Sequence, residues 1–245
     1  TKLSDFIAIK VFLLSGAVAM VSFGNLSMFF LGIEVLSISL YILAASNRMN
    51  LKSNEAGMKY FLMGSFASGI ILFGICLIYG AMGTFDVAEI SELSRSAELP
   101  IWFPIGIVLV TIGMFFKIAA VPFHFWAPDV YQGSPTPVSG FLSTVSKAAG
   151  FAAFIRVIVN VFAVGSSQVW MVTIAVVAVL SMFVGNLLAI TQKDIKRMIA
   201  YSSIAQAGYI LVGVATGSEL GFSGALYYLL AYLVTNLAVF AIIHW

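Results

Sequence analysis

A chain of 245 residues that is 61% hydrophobic and only 9% charged departs from soluble domains, in which about a quarter of residues carry charge. A net charge of +2 with scattered basic residues excludes a nucleic-acid partner, and the lone Cys76 excludes an internal disulfide. Embedding in a lipid bilayer is what remains.

A helical crossing needs about 20 apolar residues. On that measure the chain holds eight hydrophobic segments, at 6–23, 25–46, 55–82, 101–131, 136–164, 168–191, 195–217 and 221–245. Their length, without ten-residue alternation, predicts helices rather than barrel strands. The expected fold is an all-α integral membrane bundle of about eight transmembrane helices, with Cys76 as a small packing residue inside one of them. Residues 1–10 lack the layout of a secretory signal. Thr1 at the start and a stop at Trp245 within an apolar run point to a piece of a longer protein.

Arg48 and Lys52 lie in one link, and Lys193, Lys196 and Arg197 in another, an even number of crossings away. Both links therefore fall on one side, which positive-charge bias assigns to the cytoplasm. Lys2 and Lys10 agree. The acidic stretch 83–100, with Asp86, Glu89, Glu92, Arg95 and Glu98, and the uncharged turn 165–167 then face outward.

Three charges lie deep. Glu34 falls near the middle of 25–46, Lys117 near the middle of 101–131, and Lys147 inside 136–164, about 18 Å from the cytoplasmic turn at 1.5 Å per residue. Each costs roughly 2.5–3.5 kcal/mol on insertion scales, so a chain that merely filled a membrane would carry leucine there. Polar side chains at helical spacing accompany them: Ser27, Ser37 and Tyr41 with Glu34, and Thr136, Ser139 and Ser143 with Lys147. Further stripes are Ser202, Gln206 and Tyr209, then Tyr228, Tyr232 and Thr235 beside Asn236, with Asn186 adding an amide within 168–191. Either a hydrated axis or plain interhelical hydrogen bonding accounts for them.

The fourth segment is interrupted. Pro122 removes a backbone donor and presses on the carbonyl of Ile118, which predicts two half-helices meeting near 118–123. Such breaks at membrane depth line cavities or lie within protein. Lys117 then sits at a half-helix C-terminus, where unpaired carbonyls favour an ammonium. Burial and a nearby Glu34 act on that ammonium in opposite senses, and a lysine so balanced can release a proton near neutral pH. A static Glu34–Lys117 ion pair is the alternative. Lys59, one turn inside 55–82, follows Glu55 by four residues, a stabilising helical pair. Arg156 reads as a snorkelling outer-interface residue. His124 is a relay or a packing histidine, and Asp129 a half-helix contact or a proton entrance.

The run Phe116-Lys117-Ile-Ala-Ala-Val-Pro122-Phe-His124-Phe-Trp126-Ala-Pro128-Asp129-Val-Tyr131-Gln-Gly-Ser-Pro-Thr-Pro137-Val-Ser139, followed by Lys147, resembles the antiporter-like membrane subunits of respiratory complex I. Tyr131-Gln-Gly-Ser-Pro-Thr-Pro137 and Lys147 are most similar to the N-type subunits of bacterial NADH–quinone oxidoreductases. Gly32-Ile-Glu34, Glu55-Ala-Gly-Met-Lys59-Tyr60, Gly185-Asn186-Leu187 and Lys196-Arg197-Met-Ile-Ala-Tyr201-Ser-Ser-Ile204 follow that family's order.

The resemblance implies inverted five-helix repeats with one broken helix each: 1–165 as the first, with its break in 101–131, and 166–245 as the start of the second. It implies Glu34 as coupling glutamate, Lys117 as broken-helix lysine, Lys147 as connecting lysine and Lys59 as an additional lysine on a proton path. It further implies sister antiporter-like subunits and the lipid bilayer as partners, and a multi-pass place in the bacterial cytoplasmic (inner) membrane. NADH, FMN, iron–sulfur clusters and quinone would lie on other subunits. Within this chain no metal or cofactor is expected, since one cysteine and two distant histidines build neither an iron–sulfur centre nor a bis-His haem. Two other readings stay open: a subunit of a multi-subunit cation/proton antiporter, and a non-conducting membrane scaffold.

Overall fold

The computed structural model describes residues 2–96, 99–161 and 168–245. Glu98, the turn expected at 165–167 and the repeat boundary expected there lie outside them. The described residues are almost entirely helical: α1 Lys2–Val21, α2 Leu26–Ala44, α3 Leu51–Met82, α4 Val87–Ser96, α5 Trp102–Lys117, α6 Trp126–Gly133, α7 Thr136–Phe141, α8 Lys147–Asn160, α9 Gln168–Ile190, α10 Ile195–Ala215 and α11 Glu219–His244. A π-helical turn, Leu142–Ser146, joins α7 to α8.

The helix starts follow local chemistry. Asn25, Asn50, Asp194 and Ser218 each sit at an N-cap, their side chains accepting from Ser27 N, Lys52 N, Arg197 N and Gly221 N. Such caps satisfy amide groups that the first turn leaves without partners.

Among the described residues seven helices are long and apolar enough to cross a membrane, against eight hydrophobic segments expected, one of them broken. The difference lies in 101–131. Its α5 has 16 residues and rises about 24 Å, short of a hydrocarbon core of about 30 Å. The crossing is finished by the eight-residue α6 after an irregular stretch at 118–125, so the expected break is present and slightly longer than predicted. A second difference is α4, a short amphipathic helix in the stretch read as an acidic loop. It buries Val87 and Ile90 and leaves Glu89 and Glu92 exposed. An isolated bridge between Asn25 and Asp86, with Leu26 N donating to Phe85 O at 2.9 Å and Val87 N to Gly24 O at 3.0 Å, ties it to the α1–α2 corner.

α1 packs along α2, α3 along α5 and α9 along α10. Phe29, Leu36, Tyr60, Phe103, Phe151 and Phe154 are buried between helices, while Phe12, Phe66, Phe73, Phe183 and Val234 point outward. Large apolar side chains outside are what lipid requires. Cys76 belongs to that outer face, not to the packed interior expected for it. Arg156 is exposed at the end where α1 stops, its Nε donating to Phe23 O at 3.1 Å, in keeping with an interface position.

Candidate functional site

The break between α5 and α6 is the structural centre of the site, and its freed backbone groups have identifiable partners. Trp126 Nε1 donates to Phe116 O at 3.0 Å, Val121 N donates to Ser181 Oγ at 2.9 Å, and Lys147 Nζ donates to Ile118 O at 2.8 Å. Ala119 holds a left-handed conformation at φ 56°, and the Val121–Pro122 peptide is cis. An unpaired buried carbonyl or amide costs about 1–3 kcal/mol; side chains from α6, α8 and α9 remove that cost here.

Lys117 ends α5 as expected, but its ammonium does not serve the broken helix. It is buried and donates to Ser37 Oγ on α2. Ser37 Oγ donates in turn to Ile33 O at 2.5 Å. The static Glu34–Lys117 ion pair is absent: Glu34 is half-buried, and its Oε1 is buried without a hydrogen-bond partner. Ser37, one turn further along α2, takes the ammonium instead. Of the residues grouped with Glu34 in the sequence, Ser37 and Tyr41 are buried, whereas Ser27 is exposed in the first turn of α2.

Around Lys117 lies a small cavity of about 10 Å³ lined by Ser37, Tyr41, Tyr60, Gly64 and Phe116 among others, near the smallest space that holds one water. Gly64 makes room for it, because a Cβ there would lie 2.6 Å from Tyr41 Cζ. Gly64→Ala is therefore expected to displace the Tyr41 ring and cost about 1–3 kcal/mol. The check is a lower melting temperature of the detergent-solubilised full-length protein, with Gly69→Ala, which meets nothing within 4 Å, as the neutral control.

Lys147 is 3% exposed, follows directly on the π turn, and gives a second bond to Ser203 O on α10 at 2.8 Å. No carboxylate approaches it among the described ion pairs. Glu34, Lys117 and Lys147 are thus brought to one level: Lys117 binds a residue one turn from Glu34, and Lys147 binds the carbonyl next to Lys117. Ser139 and Ser143 are fully buried on the same side of α7 and the π turn.

Lys59 and Asp129 form a separate group near the ends of α3 and α10. Lys59 Nζ lies 2.7 Å from both Glu55 and Asp129, and Asp129 also meets Arg197 Nη1 at 2.5 Å. One carboxylate holding the starts of α3 and α10 places the links at 47–54 and 192–197 on the same side, as the charge pattern predicts. Lys59 and Asp129 are about a third exposed and, with the more exposed Glu55, border a cavity of about 160 Å³. Tyr60, next to Lys59, stacks on Trp126 at 4.5 Å and lines the Lys117 cavity, so the two groups are neighbours. His124 is half-buried in the break, its ring tilted against Phe125 at 6.0 Å, and its Nδ1 has no hydrogen-bond partner.

The polar stripes of α9 to α11 meet. Asn186 donates to Tyr209 Oη at 3.0 Å, and Tyr228 Oη donates to Gln206 Oε1 at 2.6 Å. The residue missed by sequence reasoning is Ser203, which receives both Lys147 and Tyr232. It lies one position from the stripe through Ser202, so periodicity alone passed it by. Among the described residues no group of three or more His, Cys, Asp or Glu is placed to hold a metal.

The chain as a whole has counterparts among known proteins. Residues 24–244 match the model of the family described as "NADH:quinone oxidoreductase/Mrp antiporter, TM". The chain belongs to that family. Subunit N of the NADH-quinone oxidoreductase of Flavobacterium johnsoniae is 60% identical over 99% of the chain and 54% of its own length. A chain in respiratory complex I from Thermus thermophilus superposes with a TM-score of 0.83 at 36% identity, over 98% of this chain and 51% of that one. A chain of the Mrp complex from Dietzia sp. gives 0.89 at 26% identity, over 96% and 44%. The chain spans about half the length of the curated relatives it matches. As a member of the family it has the expected all-helical antiporter-like membrane fold.

Proposed function

We propose that this chain is part of a proton-translocating subunit of a bacterial NADH–quinone oxidoreductase, set in the inner membrane among other membrane subunits, including sister antiporter-like ones. The observation that carries the reading is the level shared by Glu34, Lys117 and Lys147 around the break. Three costly charges converge on it, and no carboxylate pairs with either lysine. The 60% identity to a subunit N favours a redox-driven complex over an ion-gradient antiporter. We read 1–165 as one repeat and 166–245 as the start of its inverted partner.

In this reading protons enter near Lys59 and Asp129 and reach Lys117 past Tyr60, with His124 beside the break. The unpartnered Glu34 oxygen is what a carboxylate that exchanges partners leaves. As Glu34 approaches or withdraws from Lys117, it changes how firmly the lysine holds its proton, and so couples proton movement to electron transfer elsewhere. An interaction worth about two pKa units corresponds to roughly 2.7 kcal/mol. The chain itself does no redox chemistry; NADH, FMN, iron–sulfur clusters and quinone belong to other subunits.

The test is Lys117→Met in the full-length protein within its complex. Conduction predicts fewer protons released per NADH oxidised. A scaffold predicts no change, with some gain in stability from removing a buried charge. Wild-type proton stoichiometry in a normally assembled complex would count against conduction.

A further inference from the structure

Ser203 stands where the Lys147 site meets a polar cleft. Its carbonyl accepts from Lys147 Nζ at 2.8 Å. Its hydroxyl, buried on α10, accepts from Tyr232 Oη of α11 at 2.9 Å and lies 3.4 Å from Tyr131 Oη of α6. Hydroxyls from two other helices therefore converge on the residue that the ammonium touches. Tyr232 also lines a cleft of about 360 Å³ between α10 and α11, with Ser202, Gln206, Tyr228, Thr235 and Asn236 in its walls.

A site needs about 10–15 Å³ and two to four polar partners to hold a water, so this cleft has room and partners for several. The immediate surroundings of Lys147 differ. Its two hydrogen bonds go to backbone carbonyls, which accept a hydrogen bond but carry no proton to pass on. A group that both accepts and donates is needed between the ammonium and water. A hydroxyl does both.

We infer that Ser203 and Tyr232 form a hydroxyl relay between Lys147 and this cleft, with Tyr131 holding the Ser203 side chain in place. In each passage Lys147 loses one N–H proton. The ammonium turns from the Ser203 carbonyl to the Ser203 hydroxyl, which takes that proton. Once the two hydroxyls rotate from the observed Tyr232-to-Ser203 direction, Ser203 Oγ passes its own proton to Tyr232 Oη, and Tyr232 releases its own to a water in the cleft. The neutral amine is reloaded from the Lys117 side. Only N–H and O–H bonds change, so no co-reactant is consumed. The relay rests on the conduction reading above and adds the residues by which the path leaves Lys147.

The experiment uses the full-length protein in its assembled complex, reconstituted into liposomes containing a pH-sensitive dye. Ser203→Ala removes the hydroxyl and keeps the carbonyl held by Lys147; Tyr232→Phe removes one oxygen at nearly constant shape. Each is expected to slow proton translocation about tenfold or more, a partial loss of what a positioned proton-transfer group supplies, and to change the H₂O/D₂O rate ratio. Ser203→Thr, which keeps a hydroxyl, restores both. If Ser203→Ala and Tyr232→Phe translocate at the wild-type rate while Lys147→Ala does not, the relay is wrong and the conduction reading stands. If Lys147→Ala also translocates normally, that reading fails and the relay with it. A loss in Ser203→Ala that Thr does not repair, with an unchanged isotope ratio, marks a packing defect and also overturns the relay.

Discussion

Replacing Lys147 with alanine is expected to lower proton translocation by the full-length complex by about tenfold or more, a barrier increase of at least 1.4 kcal/mol. Two effects contribute, and a second variant separates them. Alanine removes a titrating group, but it also strips Ile118 O and Ser203 O of their donor. Leaving each buried acceptor unsatisfied costs about 1–3 kcal/mol, so some loss of stability accompanies the loss of function. Lys147→Arg supplies both donors and keeps the charge, yet a guanidinium does not release its proton in a protein. Conduction therefore predicts an arginine variant that assembles and resists heat better than the alanine variant while still failing to translocate. A purely structural Lys147 predicts the reverse, with arginine restoring translocation along with stability. Dye-reported proton uptake and melting temperature, measured on the same preparations, decide between them.

Much of this site was legible in the sequence because membrane insertion makes charge expensive. Glu34, Lys117 and Lys147 stand out in apolar runs, and Pro122 announces the break whatever surrounds it. The same-side placement of 47–54 and 192–197 was legible for a similar reason, since charge bias acts link by link. What stayed hidden depends on partners far apart in sequence. Spacing marks Ser37 as a companion of Glu34, but its bond to Lys117 joins residues 80 apart, and no local pattern gives that. Asp129 binds Lys59 and Arg197 across about 70 residues in each direction, so its role as a clasp emerges only in three dimensions. The carbonyls freed by Pro122 were expected to hold the ammonium of Lys117. Ile118 O is instead reached by Lys147, because α8 lies against the break at Gly150, where a Cβ would come within 3.1 Å of Ile118 Cγ2. The π turn before Lys147 has no sequence signature of its own, and α4 was masked by the acidic residues on its solvent face.

The other large effect is expected far from any charge, at the crossing of α1 and α2. Gly16 and Gly32 face the opposite backbone there: a Cβ on Gly32 would lie 2.7 Å from Met20 Cα, and one on Gly16 would lie 3.0 Å from Leu36 Cα. Backbone does not yield as a flexible side chain does, and small residues at membrane helix crossings are what allow such an approach. Gly32→Leu must drive the two helices apart, at a cost above the usual 1–3 kcal/mol of overpacking. The expected result is a sharp fall in the amount of full-length protein recovered from membranes, and a lower melting temperature for what remains. Gly80→Ala on α3, which meets nothing within 4 Å, is the matched control and should leave both unchanged. The consequence reaches the site because α2 carries Glu34, Ser37 and Tyr41 on the turns that follow Gly32. Moving α2 withdraws Ser37 from Lys117, so a milder Gly32→Ala should impair translocation more than its stability loss alone predicts. Wild-type recovery and melting for Gly32→Leu would show that the crossing tolerates a side chain, and that α2 is held against Lys117 by contacts other than this one.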